Sequence, residues 1–185
     1  LYSTASYRSG NLQGISLGGN NLTGWDFAGK NLAGASFSGT TLANADLSRA
    51  NLDGAGLDQA SLTNTNLSHA NLANASFLDA TLSSANLAQA DLSNAEFARA
   101  SMANTDFTNA IVTGARFWDT TSRGFTAPQF YSTASYKNGD LQGVGLEHND
   151  LTGWDFASKN LASASLEFAT LTNVDMTDAQ VINAS

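Results

Sequence analysis

The chain predicts an all-β fold, a quadrilateral parallel β-helix with a short helical interruption, on three observations. From Leu12 to Phe117 every fifth residue is Leu, Phe, Met or Val, over 22 consecutive positions. Neither a helix nor an ordinary strand has a five-residue period, and a strict short period sustained this long marks a solenoid whose repeats contact mainly their neighbours. The residue before each apolar position sorts again with a period of twenty. Asn11, Asn31, Asn51, Asn71 and Asp91 form one track, and Ser16, Ser36, Gly56, Ser76 and Glu96 a second. Asn21, Thr41, Ser61, Thr81 and Ser101 form a third, and Asp26, Asp46, Asn66, Asn86 and Asp106 a fourth. Four tracks mean four pentapeptides per coil, with like residues stacked ~4.8 Å apart, close enough for Asn ladders and piled Phe rings. The third observation is a break in the rhythm between Trp118 and Asp140, after which it resumes one phase later, from Leu141 to Val181.

Taken in order, residues 1–10 read as a partial helical lead-in and 11–117 as the first β-helix module. Two residues before most apolar positions stands a small residue, usually Ala, as at Ala35, Ala45 and Ala115. Two residues after them stand Gly14, Gly19 and Gly24 early on, then Asn44, Asn64 and Asn74, which tolerate the positive φ of a tight corner. Arg49, Asp79 and Arg99 in that slot are expected to mark corners of another turn type.

Residues 118–140 are an interruption, with a short helix expected near 127–137. Thr126-Ala-Pro-Gln129 reads as a capping box with Pro128 in the first turn, and Gly139 as the stop. Residues 141–185 start a second module. Leu1–Phe37 and Phe130–Leu166 are about two thirds identical at a constant offset of 129 residues, so one long module is followed by the beginning of its copy. The start at Leu1 rather than Met fits a piece or processed product of a longer protein.

Runs such as Ala45-Asp46-Leu47-Ser48-Arg49, Ala50-Asn51-Leu52-Asp53-Gly54 and Ala90-Asp91-Leu92-Ser93-Asn94 resemble the A(D/N)LXX motif of pentapeptide-repeat proteins, and the resemblance covers nearly the whole chain. It implies a right-handed coil with the central and small residues inward, and a bacterial origin. Some members of that family are acidic rods that bind DNA gyrase in place of DNA.

Composition narrows the function. Only 13% of residues are charged, the formal net charge is −8 and the pI is near 4.4. Eight Lys and Arg scattered along an acidic chain argue against nucleic acid or an anionic membrane as partner. There is no Cys, hence no disulfide or thiolate metal site, and no run of the ~20 apolar residues a membrane span needs. The compartment stays open between cytoplasm and export. His69 and His148 stand beside no ligand set, and no nucleophile–base–orienter group can be picked out, so neither a catalytic residue, a metal nor a cofactor is expected.

Two clusters are candidate sites. Asp26, Asp46, Asp106, Asp155 and Asp175 form a candidate acidic interaction stripe, which on a soluble rod also reads as a solvated face. Trp25, Lys30, Trp154 and Lys159 occupy slots that elsewhere hold Ala. They read either as a ligand pocket with Asp26 or Asp155 bridging the lysine, or as a special first coil in which the indole packs under the helical segment. Recurrence in both module copies favours the second. The leading expectation is a non-enzymatic structural scaffold or protein-interaction module, with neighbouring modules or another protein as partner and end-to-end self-association at an open coil edge. The alternative is an acidic DNA mimic that binds a type II topoisomerase. One net charge per ~5 Å of rod, against one per ~1.7 Å of duplex, weighs against it.

Overall fold

The computed structural model describes residues 4–185; Leu1–Ser3, part of the expected lead-in, lie outside the described residues. A short helix, α1 (Ala5–Ser9), opens it, with the Thr4 side chain accepting from the Tyr7 N–H at 3.2 Å and Gly10 closing it at φ 79°. From Asn11 onward the chain winds as a parallel coil. Rungs join residues twenty apart on four successive sides, Asn11 to Asn31, Ser16 to Ser36, Asn21 to Thr41 and Asp26 to Asp46, and the pattern repeats up the rod.

The five N–H groups of one repeat show why the motif has its form. In Ala50–Gly54, the N–H of Asn51 reaches back to Lys30 C=O (2.9 Å), while those of Leu52 and Gly54 reach on to Asn71 C=O (2.7 Å) and Ala73 C=O (2.8 Å). The Ala50 N–H closes the corner onto Leu47 C=O at 3.1 Å. Only the fourth residue, Asp53, has no backbone acceptor for its N–H, and the Asn51 side chain supplies one at 3.3 Å. A backbone donor must be satisfied somewhere, and the Asn or Asp of the motif is how this coil does it. The Asn side chains also ladder between coils, Asn51 to Asn31 at 3.1 Å and Asn71 to Asn51 at 3.0 Å.

Apolar and small positions face inward. Leu32, Leu47, Leu67 and Phe97 are fully buried, and the Ala slots from Ala35 to Ala115 are as closed. Where Thr replaces Ala, its hydroxyl donates to a carbonyl of the previous coil: Thr40 to Leu17, Thr65 to Leu42 and Thr105 to Leu82, at 2.7–3.0 Å. Phe77, Phe97 and Phe117 stack at 4.8 and 5.1 Å; Phe37, separated from them by Leu57, packs edge-on against Phe27 instead.

The corners are uniform, which corrects one expectation. Arg49, Asp79 and Arg99 have φ of 57°, 57° and 55°, the same left-handed conformation as Asn44 at 58°. A non-glycine residue there costs about 1–2 kcal/mol. The corner offsets it with two backbone hydrogen bonds, as at Arg49, whose N–H meets Ser68 C=O at 2.9 Å beside the 3.1 Å closure from Ala50. The side chain points outward, so its identity matters little.

The interruption is a bulge in one coil, and the rod runs through it. Arg116 pairs with Gly145, so this coil takes 29 residues rather than 20, and rungs continue above it from Asp140 to Asn160. A 3₁₀ turn (Thr121–Arg123) leads to Gly124, where a Cβ would stand 2.9 Å from the Ala103 backbone at φ 94°. The helix expected over 127–137 is two: α2 (Ala127–Tyr131) and α3 (Ala134–Lys137). They part because the backbone between them serves as a rung. Asn109 N–H donates to Ser132 C=O at 2.9 Å and Ala134 N–H to Ala110 C=O at 2.8 Å, leaving Thr133 extended as the cap of α3. Gln129 accepts from the Thr126 N–H (2.8 Å) and donates to Met102 and Thr105 carbonyls (2.8 and 3.0 Å), pinning α2 to the coil beneath. Phe125 lies 4.6 Å above Phe117 and carries the aromatic column through the bulge.

Candidate functional site

The acidic stripe is tied into the backbone. Asp26 accepts from the Ala28 N–H (2.9 Å), Asp46 from Ser48 (2.9 Å), Asp106 from Thr108 (2.8 Å), Asp155 from Ala157 (2.8 Å) and Asp175 from Thr177 (2.9 Å). Each carboxylate does the work that Asn does elsewhere. Asp26 lies beside Asp46 and Asp155 beside Asp175, but Asn66 and Asn86 separate Asp46 from Asp106. The Asn66 amide donates to Asp46 at 3.2 Å. Hydrogen bonds from Thr177, on both its hydroxyl and its N–H, hold the Asp175 carboxyl below its ordinary value.

Trp154 and Lys159 seat the helical bulge. Trp154 is 6% exposed and meets the rings of Phe125, Phe130, Tyr131 and Phe156 at 5.5–6.1 Å between centroids. The Tyr131 hydroxyl accepts from the Asp155 N–H (2.6 Å) and the Tyr136 hydroxyl donates to the Asp155 C=O (2.9 Å). Lys159 Nζ stands 4.2 Å over the Tyr136 ring. Burial, with the Asp155 charge nearby, pushes the Tyr136 phenol up to about 12. The first copy repeats this on a smaller scale: Tyr7 donates to Asp26 C=O, Lys30 Nζ lies 4.7 Å over the Tyr7 ring, and Trp25 stacks on Phe27 at 5.8 Å. In both copies the lysine faces a tyrosine ring. Among the described residues no three His, Asp or Glu side chains converge as a metal set, and no helix is long and apolar enough to cross a membrane.

Two features had no place in the sequence reading. The first is Asn149, 1% exposed in a slot that normally holds Ala. Its Oδ1 accepts from the N–H groups of Thr120 and Thr121, each at 2.8 Å, and its Nδ2 donates to Phe117 C=O at 2.6 Å. It replaces the ladder where the chain leaves the regular coil. The available signal was its counterpart in the first copy, Asn20, also in an Ala slot. The second is a corner column. Asp79 and Arg99 form a bidentate pair (2.8 and 2.6 Å), and that guanidinium holds the Asp79 carboxyl below its ordinary value. Arg99 lies 5.3 Å from the Trp118 ring, Trp118 meets His148 edge-on at 5.3 Å, and His148 stacks on Phe168 at 4.9 Å.

Comparison with known proteins gives a consistent answer. A family model described as a pentapeptide repeat region matches residues 50–126, and one described as pentapeptide repeats (8 copies) matches 31–68 and 140–184. A pentapeptide repeat protein of the Arabidopsis thaliana thylakoid lumen is 36% identical over 55% of this chain and 68% of its own, with a TM-score of 0.42. HetL, a pentapeptide repeat protein of the cyanobacterium Nostoc involved in heterocyst differentiation regulation, is 21% identical over 97% of this chain and 93% of its own, with a TM-score of 0.42. A trypsin-treated form of QnrB1, a plasmid-mediated fluoroquinolone resistance protein, is 17% identical over 92% of this chain and 88% of its own, with the same TM-score of 0.42. Comparison with curated proteins returns no match. Together the two family models account for 31–126 and 140–184, on a backbone whose rungs fall every twenty residues outside the bulge, and the chain belongs to the pentapeptide-repeat family.

Proposed function

We propose that this chain is a non-enzymatic scaffold: a right-handed quadrilateral β-helical rod whose outer faces hold protein partners or neighbouring modules, with no chemistry of its own. The observation that carries this reading is the use of the polar side chains. The stripe carboxylates accept from backbone N–H groups, and the Trp–Lys clusters hold the helical segments to the coils. Side chains committed to the frame leave rigidity and outward surface as what the molecule offers. The acidic-mimic reading has less support, because Asn66 and Asn86 break the stripe and the bulge separates Asp106 from Asp155.

The test is DNA supercoiling by a purified type II topoisomerase with the chain titrated in, beside a pull-down with two baits. One bait is native; in the other Asp26, Asp46, Asp106, Asp155 and Asp175 are all Asn. A scaffold leaves supercoiling unchanged, and both baits retain the same proteins. Inhibition by the native chain that the all-Asn variant loses would replace this reading with DNA mimicry.

A further inference from the structure

We propose that the side of the rod centred on Leu42, Leu62, Leu82 and Met102 binds the surface of ice crystals. The inference goes beyond the scaffold reading, since its ligand is a lattice of water rather than a protein.

The first argument is a hydrogen bond that this side gives up. On the sides centred on Leu52 and Leu47, the N–H that follows each buried Leu is capped by the Asn or Asp before it, as Asn51 caps Asp53 and Asp46 caps Ser48. Here the capping positions hold Thr41, Ser61, Thr81 and Ser101. Among the described residues, the N–H groups of Ala43, Thr63, Ser83 and Ala103 have no acceptor in the protein. The ladder around them is otherwise regular, since their own carbonyls accept from the corner N–H groups of the coil below at 2.9–3.2 Å. The fold can cap this side as well: Asn21 does so for Thr23 at 3.1 Å, and Asp150 for Thr152 beyond the bulge at 3.0 Å. A protein hydrogen bond is worth about 0.5–1.5 kcal/mol net, so four coils in succession forgo stabilisation that one side-chain change each would restore. The hydroxyls of Thr41, Ser61, Thr63, Thr81, Ser83 and Ser101 are likewise unbonded within the described protein. These coils lie between the Asn21 coil and the bulge, so their open groups owe nothing to an end of the rod.

Charge supplies the second. No outward residue of this side is charged, nor is any in its corner column of Asn44, Asn64, Ser84 and Asn104. Along one border Asn66 and Asn86 interrupt the acidic stripe, and along the other Asp79 and Arg99 neutralise each other in their bidentate pair. The side centred on Leu57 also leaves the Ser38 N–H uncapped, but it carries Asp58, Glu96 and Arg116.

Spacing selects the ligand. Rungs from Thr41 to Ser61, Thr81 and Ser101 hold the free donors and hydroxyls in register, one set per coil and ~4.8 Å apart. An extended peptide presents same-side groups only every ~6.7 Å and would lose register within two coils. A polyanion finds no cation here, and a sugar ring finds no aromatic face. Water needs neither. It both accepts and donates, and a backbone donor left outside the ladder must find such a partner. One water on each N–H, steadied by the hydroxyls on either side, is held at an interval close to the repeat of oxygens along the a axis of ordinary ice. The paired hydroxyls of Ser61 with Thr63 and of Thr81 with Ser83 extend the array across the strand as well as along the rod.

The experiment is ice-affinity partitioning of the purified full chain, read as the protein taken up by slowly growing ice, with single crystals followed in a nanolitre osmometer. Several-fold enrichment over a non-binding protein of similar charge is expected, with faceted crystals. Thr41→Asn, Ser61→Asn, Thr81→Asn and Ser101→Asn together should bring uptake down to the control level. That variant gains the caps and the ladder already present at Asn31, Asn51 and Asn71, so the fold should be kept. Thr63→Lys, a single outward change, is the deciding variant if the fourfold change lowers the melting temperature. Ser36→Asn with Ser76→Asn, on the neighbouring side, should leave uptake unchanged. Exclusion of the native chain from ice, native uptake by the deciding variant, or an equal loss in the neighbouring-side variant would each overturn the proposal. Because the purified chain alone is measured, that failure would leave the scaffold reading to its own pull-down test.

Discussion

Replacing Asn149 by Ala tests how the rod survives its bulge. The substitution creates no steric problem, since Ala fills the equivalent slot in most repeats, such as Ala45 and Ala85. It removes the acceptor for two backbone donors, the N–H groups of Thr120 and Thr121, each 2.8 Å from Oδ1. An unsatisfied buried donor costs about 1–3 kcal/mol. Thr120 is fully buried and Thr121 only half so, and Phe117 C=O keeps the Thr120 hydroxyl at 2.8 Å when the amide is gone. The expected loss is therefore about 3 kcal/mol, lowering the melting temperature by roughly 6–12 °C for a chain of this size. Urea denaturation followed by circular dichroism measures the total, and hydrogen exchange at Thr120 and Thr121 reports where it arises. Asn20→Ala is the control: its amide donates to Leu17 and Gly18 carbonyls at the exposed start of the coil, and its loss should cost under about 1 kcal/mol. A loss at Asn149 within about 0.5 kcal/mol, with exchange unchanged, would refute the reasoning.

Leu67→Asp places a carboxylate at a fully buried position, at a cost above about 4 kcal/mol. Asn66→Ser, next to it on the outer face, should stay within about 1 kcal/mol, and equal melting temperatures would mean that Leu67 is not in the core. Trp154→Ala should cost about 3–5 kcal/mol and loosen the bulge, whereas Lys159→Met, which removes only the cation over the Tyr136 ring, should cost about 1 kcal/mol or less; near-equal losses by thermal melting would contradict the packing role given to the indole. Glu96 tests pH dependence. Its carboxyl is raised from 4.5 in the folded chain, so its ionisation opposes folding. That penalty is complete above the folded value and disappears below the unfolded one. Glu96→Gln should therefore raise the melting temperature at neutral pH, with the gap closing below 4.5, and a gap independent of pH would refute it.

Much of this was legible because each repeat position has one physical task. Leu47 and Ala45 recur every five residues since the interior admits one large and one small side chain per side, and Asp46 recurs because one N–H per repeat lacks a backbone acceptor. What escaped depends on contacts between coils. The corner at Arg49 reads as anomalous in a single repeat, yet its cost is offset by a bond to Ser68, nineteen residues on. The split between α2 and α3 follows from Asn109 and Ala110 in the coil below, which no local helix signal contains. The Asp stripe was visible as a track of charge. Its tie to the chain's own N–H groups became evident only with the backbone in place.

The bulge has a consequence for any longer array of such modules. The repeat of 129 residues is made of five ordinary coils and one enlarged coil, and the enlarged coil still returns Gly145 to stand directly over Arg116. Each module is thus a whole number of coils, six, or about 29 Å of rod at ~4.8 Å per coil. Trp25 and Trp154 lie on the same side of the rod for that reason. The bulge acts as a length standard that preserves azimuth: successive copies would be related by translation along the axis, like marks on one edge of a ruler, and equivalent surfaces would face one direction at a fixed pitch.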